Sequence, residues 1–336
     1  MAEVPGQFAG RDGDAGRDRA AWLPPRRSSF VGRTADLAEV AARLGRYPVV
    51  TLTGVGGVGK TALALETAWA EVSAGRAERA CHVDLVPCRT GEQVVAALVE
   101  GVGIRGAGAA AGLDAVAEAM SDCRSLLVLD NCEHVLEPAR RACDQLARRA
   151  ANLRILVTSR IPLDIGPECV WRVQPMAVPG EAGHPVATEA VRLFYARAAM
   201  AGVTLQAGPG ELVLAGGICR KAGGLPLALE LVANRLRAAS LAELATELGS
   251  SEWPARGTGS GRHDSVDTCL AWSHALLPAD AAAMFRRLSV FPAGFDLAAA
   301  KEVAGAPSAG AGQGHGFRAP RLTGCVPRLE SCAVAC

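Results

Sequence analysis

The segment that most constrains the fold is a glycine-rich loop, residues 54–61, between a strand-like run and a helix-like run. The apolar run VVTLT precedes the loop and ALALETAWAEV follows it. Glycines let the backbone wrap so that successive N–H groups face phosphate oxygens, and the helix that follows adds its positive N-terminal end. The sequence therefore predicts a phosphate-binding loop (P-loop) at the end of a strand.

Two side chains of the loop have expected roles of their own. Lys60 is expected to reach the β- and γ-phosphates, and Thr61 to ligate Mg²⁺ through its hydroxyl. The full set of loop residues expected to bind nucleotide is Gly54, Val55, Gly56, Gly57, Val58, Gly59, Lys60 and Thr61. We interpret the loop as a site for a nucleoside triphosphate or diphosphate. The alternative is a glycine-rich turn between strand and helix without a ligand.

Composition restricts the remaining classes of protein. The chain has 336 residues, of which 50% are hydrophobic but only 4% aromatic, so alanine, leucine and valine must build its cores. This length allows two or three domains. A formal net charge of +1 gives no electrostatic footprint for nucleic acid or an anionic membrane. With neither a long apolar run nor a signal-peptide core, we expect a cytoplasmic protein without membrane contact.

The eleven cysteines are scattered and form no CxxC pair. Cys132, His134 and Cys143 could be imagined as a metal site, but their spacing matches none of the common zinc patterns. We expect the cysteines to be small buried apolar side chains.

Short apolar runs that alternate with helical patterns predict an α/β domain over residues 28–180, a parallel sheet with helices on both faces. The predicted strands are residues 49–53, 80–85, 125–130, 154–159 and 170–173. The predicted helices between them are residues 61–74, 91–101, 112–121 and 134–150.

The rest of the chain has a different pattern. Residues 1–27 are predicted to be a flexible leader, with order beginning near Ser28. Residues 181–250 show helical patterns only and predict an all-helical domain. Further helical patterns occur within residues 251–304, after a Gly- and Ser-rich break. Residues 305–336 have no period and predict an irregular tail.

Candidate catalytic groups follow two of the predicted strands. Asp130 ends an apolar strand and is expected to hold Mg²⁺ together with Thr61. Asn131 comes next instead of a second carboxylate, so Glu133 is the candidate general base, although it could equally cap or pair within the following helix. Arg160 ends the next strand and could contact a γ-phosphate; the alternative is a solvated arginine. We therefore expect slow hydrolysis.

Taken in order, these motifs resemble the NB-ARC class of signal-transduction ATPases (STAND ATPases). They resemble more closely the ATPase module of actinobacterial SARP- and LuxR-type transcriptional regulators. Besides the P-loop, the resemblance is carried by FVGR (30–33), LLVLDNCEHVL (126–136), LVTSR (156–160) and GGLPLALEL (223–231). It implies that Val31, Gly32 and Arg33 frame the adenine of ATP or ADP. It also implies that Pro226 packs against the adenine from the helical domain.

The resemblance implies a signalling switch with slow ATP hydrolysis. In such a switch ADP holds the nucleotide-binding, helical and winged-helix domains closed, and exchange for ATP opens them. Protein partners or self-association on activation are then expected, without direct nucleic-acid binding by this chain. The alternatives are a non-hydrolysing nucleotide-binding remnant or scaffold, and a P-loop kinase of a small molecule.

The C-terminal part departs from this resemblance. LAWSHALL and FRRLSVFPAGFDL resemble the start of a winged-helix domain, so residues 251–304 are expected to be a partial winged-helix region. The histidine-containing motif that follows in relatives has no counterpart after Ala304. Our hypothesis is that the chain is a truncated or frameshifted regulator and that residues 305–336 are a frameshifted tail.

Overall fold

The computed structural model describes residues 22–26, 30–104, 112–180, 188–250, 279–291, 299–300 and 302–303. The chain divides into two compact units. The first contains the described residues of Met1–Phe30, Thr34–Gly54 and Lys60–Val173. The second contains those of Val31–Arg33, Val55–Gly59 and Gln174–Cys336.

A parallel sheet of five strands forms the centre of the first unit, in the order β2-β3-β4-β1-β5. The strands are β1 (Val49–Thr53), β2 (Arg79–Asp84), β3 (Ser125–Asp130), β4 (Leu153–Ser159) and β5 (Glu168–Arg172). β1 and β3 are buried along their whole length, which explains their uninterrupted apolar sequences. The predicted strands are confirmed, with ends that differ by one or two residues.

Helices cover both faces of this sheet. They are α1 (Thr34–Leu44), α2 (Lys60–Ser73), α3 (Gly91–Gly101), α4 (Gly112–Ser121) and α5 (Leu136–Arg149). α1 contacts α2, whereas α3, α4 and α5 contact one another. The strand order reverses at β2, and right-handed crossovers then place α2 and the α3–α5 group on opposite faces. The predicted α/β class is therefore confirmed; α1 was not predicted.

The second unit is helical. Its described helices are α6 (Glu189–Met200), α7 (Pro209–Lys221), α8 (Pro226–Arg235), α9 (Leu241–Ser250) and α10 (Ala279–Leu288). α6 contacts both α7 and α8, and α7 contacts α9. Proline opens α7 and α8, where its missing N–H costs no helix hydrogen bond. The all-helical continuation is confirmed for these residues.

Other parts of the predicted organisation lie outside the described residues. Most of the expected partial winged-helix region (251–304) and all of the tail (305–336) belong to these parts, and their assignments stay predictions. Within the described ranges, no helix combines the length and apolar character needed to cross a membrane.

The structure places five residues of the predicted leader, residues 22–26. Trp22 pairs in parallel with Cys81 on the edge strand β2. Its N–H donates to the Ala80 carbonyl over 2.9 Å, and its carbonyl accepts from the His82 N–H over 3.2 Å. Because one paired residue produces no periodic pattern, the sequence contains no signal for this contact.

Candidate functional site

Two residues predicted to hold a metal ion meet in the first unit. β3 ends at Asp130, and Thr61 lies in the first turn of α2. The Thr61 hydroxyl donates to Asp130 Oδ1 over 2.8 Å. The Thr158 hydroxyl, on the neighbouring strand β4, donates to the same oxygen. Parallel strands bring their carboxyl ends to one sheet edge, and this is what places these groups together.

Asp130 is buried yet stays ionised. Burial by itself would raise its pKa, but the nearby His82 imidazole and the hydroxyls of Thr158 and Thr61 outweigh this effect and lower the pKa below its ordinary value. His82 Nε2 lies 3.6 Å from Asp130 Oδ2. An ionised carboxylate beside a threonine hydroxyl is a pair of hard oxygen ligands, so these two residues fit Mg²⁺.

Lys60 lies in the same region of the first unit. Its Nζ donates to the Gly54 carbonyl over 2.9 Å. Burial lowers the pKa of Lys60; Glu133 and Asp130 oppose this shift, whereas Arg160 adds to it. Glu133, Asp130 and Arg160 therefore lie near enough to Lys60 to affect the pKa of its ammonium group.

Glu133 and Arg160 contact each other. Glu133 lies in a short 3₁₀ turn (Cys132–Val135) after β3, and Arg160 directly follows β4. Arg160 Nε lies 3.2 Å from Glu133 Oε1, with side chains that are 55% and 25% exposed. Among the described residues, Glu133 Oε2 is buried and has no hydrogen-bond partner. The predicted base and the predicted γ-phosphate contact are therefore an ion pair.

The end of β2 adds two side chains that the sequence reasoning missed, His82 and Asp84. Asp84 lies opposite Asp130 in the parallel register. Asn131 joins the two carboxylates, since its Nδ2 lies 3.2 Å from both Asp84 Oδ1 and Asp130 Oδ2. Asn131 has a left-handed backbone (φ 62°), which asparagine tolerates better than most residues. The signal that could have found Asp84 is an aspartate next to the last residue of the predicted strand 80–85.

In the second unit, the FVGR segment contacts the P-loop. Arg33 is only 3% exposed. Its Nη2 donates to the Val58 carbonyl over 2.7 Å and to the Gln174 carbonyl over 3.1 Å. Its backbone N–H donates to Glu189 Oε1 over 2.6 Å. Arg33 thus joins the P-loop to the segment after β5 and to the start of α6.

The GLPL segment (residues 224–227) also contacts the P-loop within the second unit. The Leu227 N–H, in the first turn of α8, donates to the Gly57 carbonyl over 3.2 Å. Pro226 opens this helix, and a Cβ built on Gly59 would lie 3.6 Å from Pro226 Cγ. The structure therefore places Pro226 beside a P-loop glycine.

The cysteines considered for a metal site are buried. Burial raises the pKa of the thiols of Cys132 and Cys143 well above the ordinary value. His134 Nε2 lies 2.9 Å from the Leu85 carbonyl and 3.0 Å from the Cys88 carbonyl. No cluster of three or more His, Cys, Asp or Glu suited to a metal occurs in the part of the chain that the structure describes.

Sequence comparison finds relatives in Mycobacterium tuberculosis, whereas no protein-family model matches the chain. One relative, provisionally named as an HTH-type transcriptional regulator, is 36% identical over 267 residues, which are 78% of this chain. The chain spans only 29% of the length of that regulator. An uncharacterized protein of the same organism is 33% identical over 279 residues, which cover 82% of this chain and 69% of that protein.

Solved structures with a similar arrangement include a signal-transduction ATPase with a tetratricopeptide repeat sensor from Pyrococcus horikoshii. Its TM-score is 0.48 at 15% identity, over 82% of this chain and 37% of that chain. The ORC2 protein of Aeropyrum pernix has a TM-score of 0.44 at 14% identity, over 84% and 80% of the two chains.

Proposed function

The chain belongs to the same family as the uncharacterized Mycobacterium tuberculosis protein, and from this premise we propose that it is an ATP- and ADP-binding module with slow ATPase activity. The observation that carries the proposal is the contact of Thr61 with Asp130, 2.8 Å apart. It joins the start of the helix after the P-loop to the carboxylate that ends β3. P-loop NTPases need this pair of groups to hold the metal of a bound nucleotide.

The loop and its lysine would hold the phosphates. The N–H groups of the glycine-rich loop would donate to phosphate oxygens, and Lys60 would add a positive charge. Lys60 now donates to the Gly54 carbonyl, a neutral acceptor that a phosphate oxygen would replace. Thr61 and Asp130 would hold Mg²⁺, which neutralises charge on the phosphates when it is bound. Val31, Gly32 and Pro226 are proposed to contact the base.

The pair of Glu133 and Arg160 offers a route to hydrolysis. An ion pair this exposed contributes about 0–1 kcal/mol, so Arg160 can exchange its partner cheaply. A γ-phosphate carries more negative charge than a carboxylate and, like it, can accept two parallel hydrogen bonds from a guanidinium, so it can take the place of Glu133. Once Arg160 turned to the phosphate, Glu133 would be free to accept a proton from the attacking water.

A role in regulation is proposed from the name of one relative. The chain spans 29% of a relative provisionally named as an HTH-type transcriptional regulator. We propose that the module is the nucleotide-dependent switch of such a regulator, in which ADP and ATP stabilise different states. Protein partners or self-association would then depend on which nucleotide is bound.

A second candidate is a nucleotide-binding module that does not hydrolyse ATP. The observation in its favour is that Asn131 occupies the position after Asp130, while the nearest acid, Glu133, is held by Arg160. Phosphate release distinguishes the two candidates, because both predict nucleotide binding but only the first predicts turnover. Release without any added second substrate would also argue against a small-molecule kinase.

The test compares two lysine variants. Lys60→Ala removes the P-loop charge, whereas Lys221→Ala removes an exposed lysine from the last turn of α7 and is the matched control. We expect bound nucleotide and Mg²⁺-dependent phosphate release in the wild type and in Lys221→Ala. Lys60→Ala should lose at least roughly a hundredfold in affinity, since hydrogen bonds between charged groups are the strong ones. Equal binding by both variants would contradict the proposal.

A further inference from the structure

Arg33 is a buried cation that donates hydrogen bonds to backbone carbonyls, and one of these carbonyls belongs to the P-loop. Its Nη2 lies 2.7 Å from the carbonyl oxygen of Val58, and the residue is 3% exposed. A hydrogen bond from a charged donor in a buried position is strong and hard to exchange for water. The orientation of the Val58 carbonyl is therefore set by Arg33.

This carbonyl belongs to the peptide unit between Val58 and Gly59. None of the described peptide bonds is cis, and in a trans unit the carbonyl and the next N–H point in opposite directions. With the Val58 carbonyl on Arg33, the Gly59 N–H must point away from Arg33. Gly59 has a φ of +92°, and because glycine has no Cβ this residue tolerates positive as well as negative φ, so an outside contact helps to select the orientation of the peptide.

The preceding peptide unit is held in the same manner. The Gly57 carbonyl accepts from the Leu227 N–H over 3.2 Å, so two consecutive P-loop carbonyls are bound by residues of the second unit. The two bonds differ in strength, because Leu227 donates from a neutral amide and Arg33 from a guanidinium. Of the two contacts, Arg33 is the stronger determinant of loop orientation.

Arg33 is itself held in a constrained backbone. Its φ is +57° after Gly32 at +73°, and an arginine rarely adopts this left-handed conformation without compensation. Glu189 Oε1 accepts the Arg33 N–H over 2.6 Å, while Gln174 accepts a second bond from the guanidinium over 3.1 Å. Glu189 thus holds the backbone from which the guanidinium reaches the loop.

We infer that Arg33 is a positioning residue for the P-loop: it holds the Val58 carbonyl so that the Gly59 N–H is presented to the phosphates of a nucleotide, and Glu189 keeps Arg33 in place. The inference rests on the proposed function, because it concerns the same loop. It assigns to Arg33 an action through the loop backbone, distinct from a contact with adenine.

The experiment measures selectivity for the β-phosphate. ADP and AMP compete with a fluorescent ADP analogue for wild type, Arg33→Ala, Arg33→Lys, Glu189→Ala and Glu189→Gln. P-loop amides bind the α- and β-phosphates, so a turned Gly59 N–H weakens ADP more than AMP. Arg33→Ala should lower the preference for ADP over AMP by roughly tenfold or more, and Arg33→Lys by less, because lysine retains a charged donor.

Glu189→Ala should lower the same preference, and Glu189→Gln should restore most of it because the amide oxygen still accepts the Arg33 N–H. The matched control is Arg154→Ala, whose guanidinium donates to the carbonyls of Leu44, Ala151 and Leu153 in the first unit. We expect Arg154→Ala to keep the preference of the wild type, even where its melting temperature falls.

Three outcomes would overturn the inference. One is a folded Arg33→Ala with an unchanged preference; another is an equal loss for ADP and AMP, as a general folding defect would cause. The third is a loss in both Arg33 variants but none in Glu189→Ala, which would indicate direct contact of Arg33 with phosphate. If Arg33→Ala does not fold, Arg33→Lys and Glu189→Ala decide alone. Failure of the wild type to bind ADP contradicts the proposed function instead.

Discussion

At the level of single residues, the neighbours of Asp130 keep its buried carboxylate ionised. Thr61, Thr158 and His82 favour the ionised form more than burial disfavours it, so Asp130 is ready for a cation at neutral pH. Glu133 has different contacts: one carboxylate oxygen contacts Arg160, and the other has no hydrogen-bond partner among the described residues. This buried oxygen keeps an unused capacity to accept a hydrogen bond, which a general base needs.

Substitution of Glu133 tests this assignment. Glu133→Gln keeps the shape of the side chain but cannot accept a proton, so phosphate release should fall by about 10²–10⁴-fold while ADP affinity stays unchanged. The matched control is Glu137→Gln in α5, where a carboxylate contacts Arg141 over 2.8 Å. Steady-state phosphate release measures both. If Glu133→Gln turned over like Glu137→Gln, Glu133 would be an ion-pair partner and not the base.

At the level of elements, the start of α8 depends on a glycine. Gly224 precedes Leu225 and Pro226 in the GLPL segment, and its φ is +66°. A Cβ at Gly224 would overlap the Met176 carbonyl oxygen, and the Gly224 carbonyl accepts the Met176 N–H over 2.9 Å. This close approach of two backbones fixes where α8 begins, and hence where Pro226 and Leu227 lie beside the P-loop residues of the second unit.

Alanine substitutions at two neighbouring glycines distinguish the free-energy cost of left-handed backbone strain from that of a steric clash. Gly223→Ala introduces left-handed strain of about 1–2 kcal/mol, because its φ is +62° and nothing lies within 4 Å of an added Cβ. Gly224→Ala carries the same strain and a clash worth about 1–3 kcal/mol more. Urea unfolding should show this difference in the free energy of unfolding. Equal destabilisation would mean that Met176 moves aside freely.

At the level of the whole molecule, the P-loop sequence contributes to both units. Val55–Gly59 belongs to the second unit, with Arg33 and α8, whereas Lys60 and Thr61 belong to the first, with Asp130. Within the first unit, Lys60 carries the positive charge of the loop sequence and the Thr61 hydroxyl contacts Asp130. A ligand of this loop is expected to stabilise the protein against unfolding. The part of this stabilisation that requires Mg²⁺ is expected to depend on Thr61 and Asp130.

Thermal unfolding with ADP tests this expectation. A ligand at 100 times its Kd stabilises the folded state by about 2.7 kcal/mol, which should raise the melting temperature of the wild type. Removal of Mg²⁺ with EDTA should reduce the shift, and Asp130→Asn should show a shift that EDTA does not change. An ADP-induced shift that is equal with and without Mg²⁺ in the wild type would contradict the assignment of Thr61 and Asp130 as metal ligands.

Local sequence was enough to determine the sheet, its main helices, the P-loop and Asp130. The strands are apolar over their whole length because both faces of a parallel sheet are covered, and this pattern is visible without a structure. The glycines of the loop and the aspartate that ends β3 are likewise local features. α1 was not predicted, although Asp36 in its first turn and Arg43 in its last turn are helix signals, whereas the pairing of Trp22 leaves no local signal.

Only the tertiary structure decided how the site residues are used. Arg33 lies 25 residues from Val58 and 141 from Gln174, and Arg160 lies 27 from Glu133. The acceptors for Arg33 are backbone carbonyls, which every residue possesses, so no residue type marks them in the sequence. Partners of this kind are selected by the packing of distant segments. The sequence therefore identified the residues that are able to bind ligands or transfer protons, and the fold determined which of them contact one another.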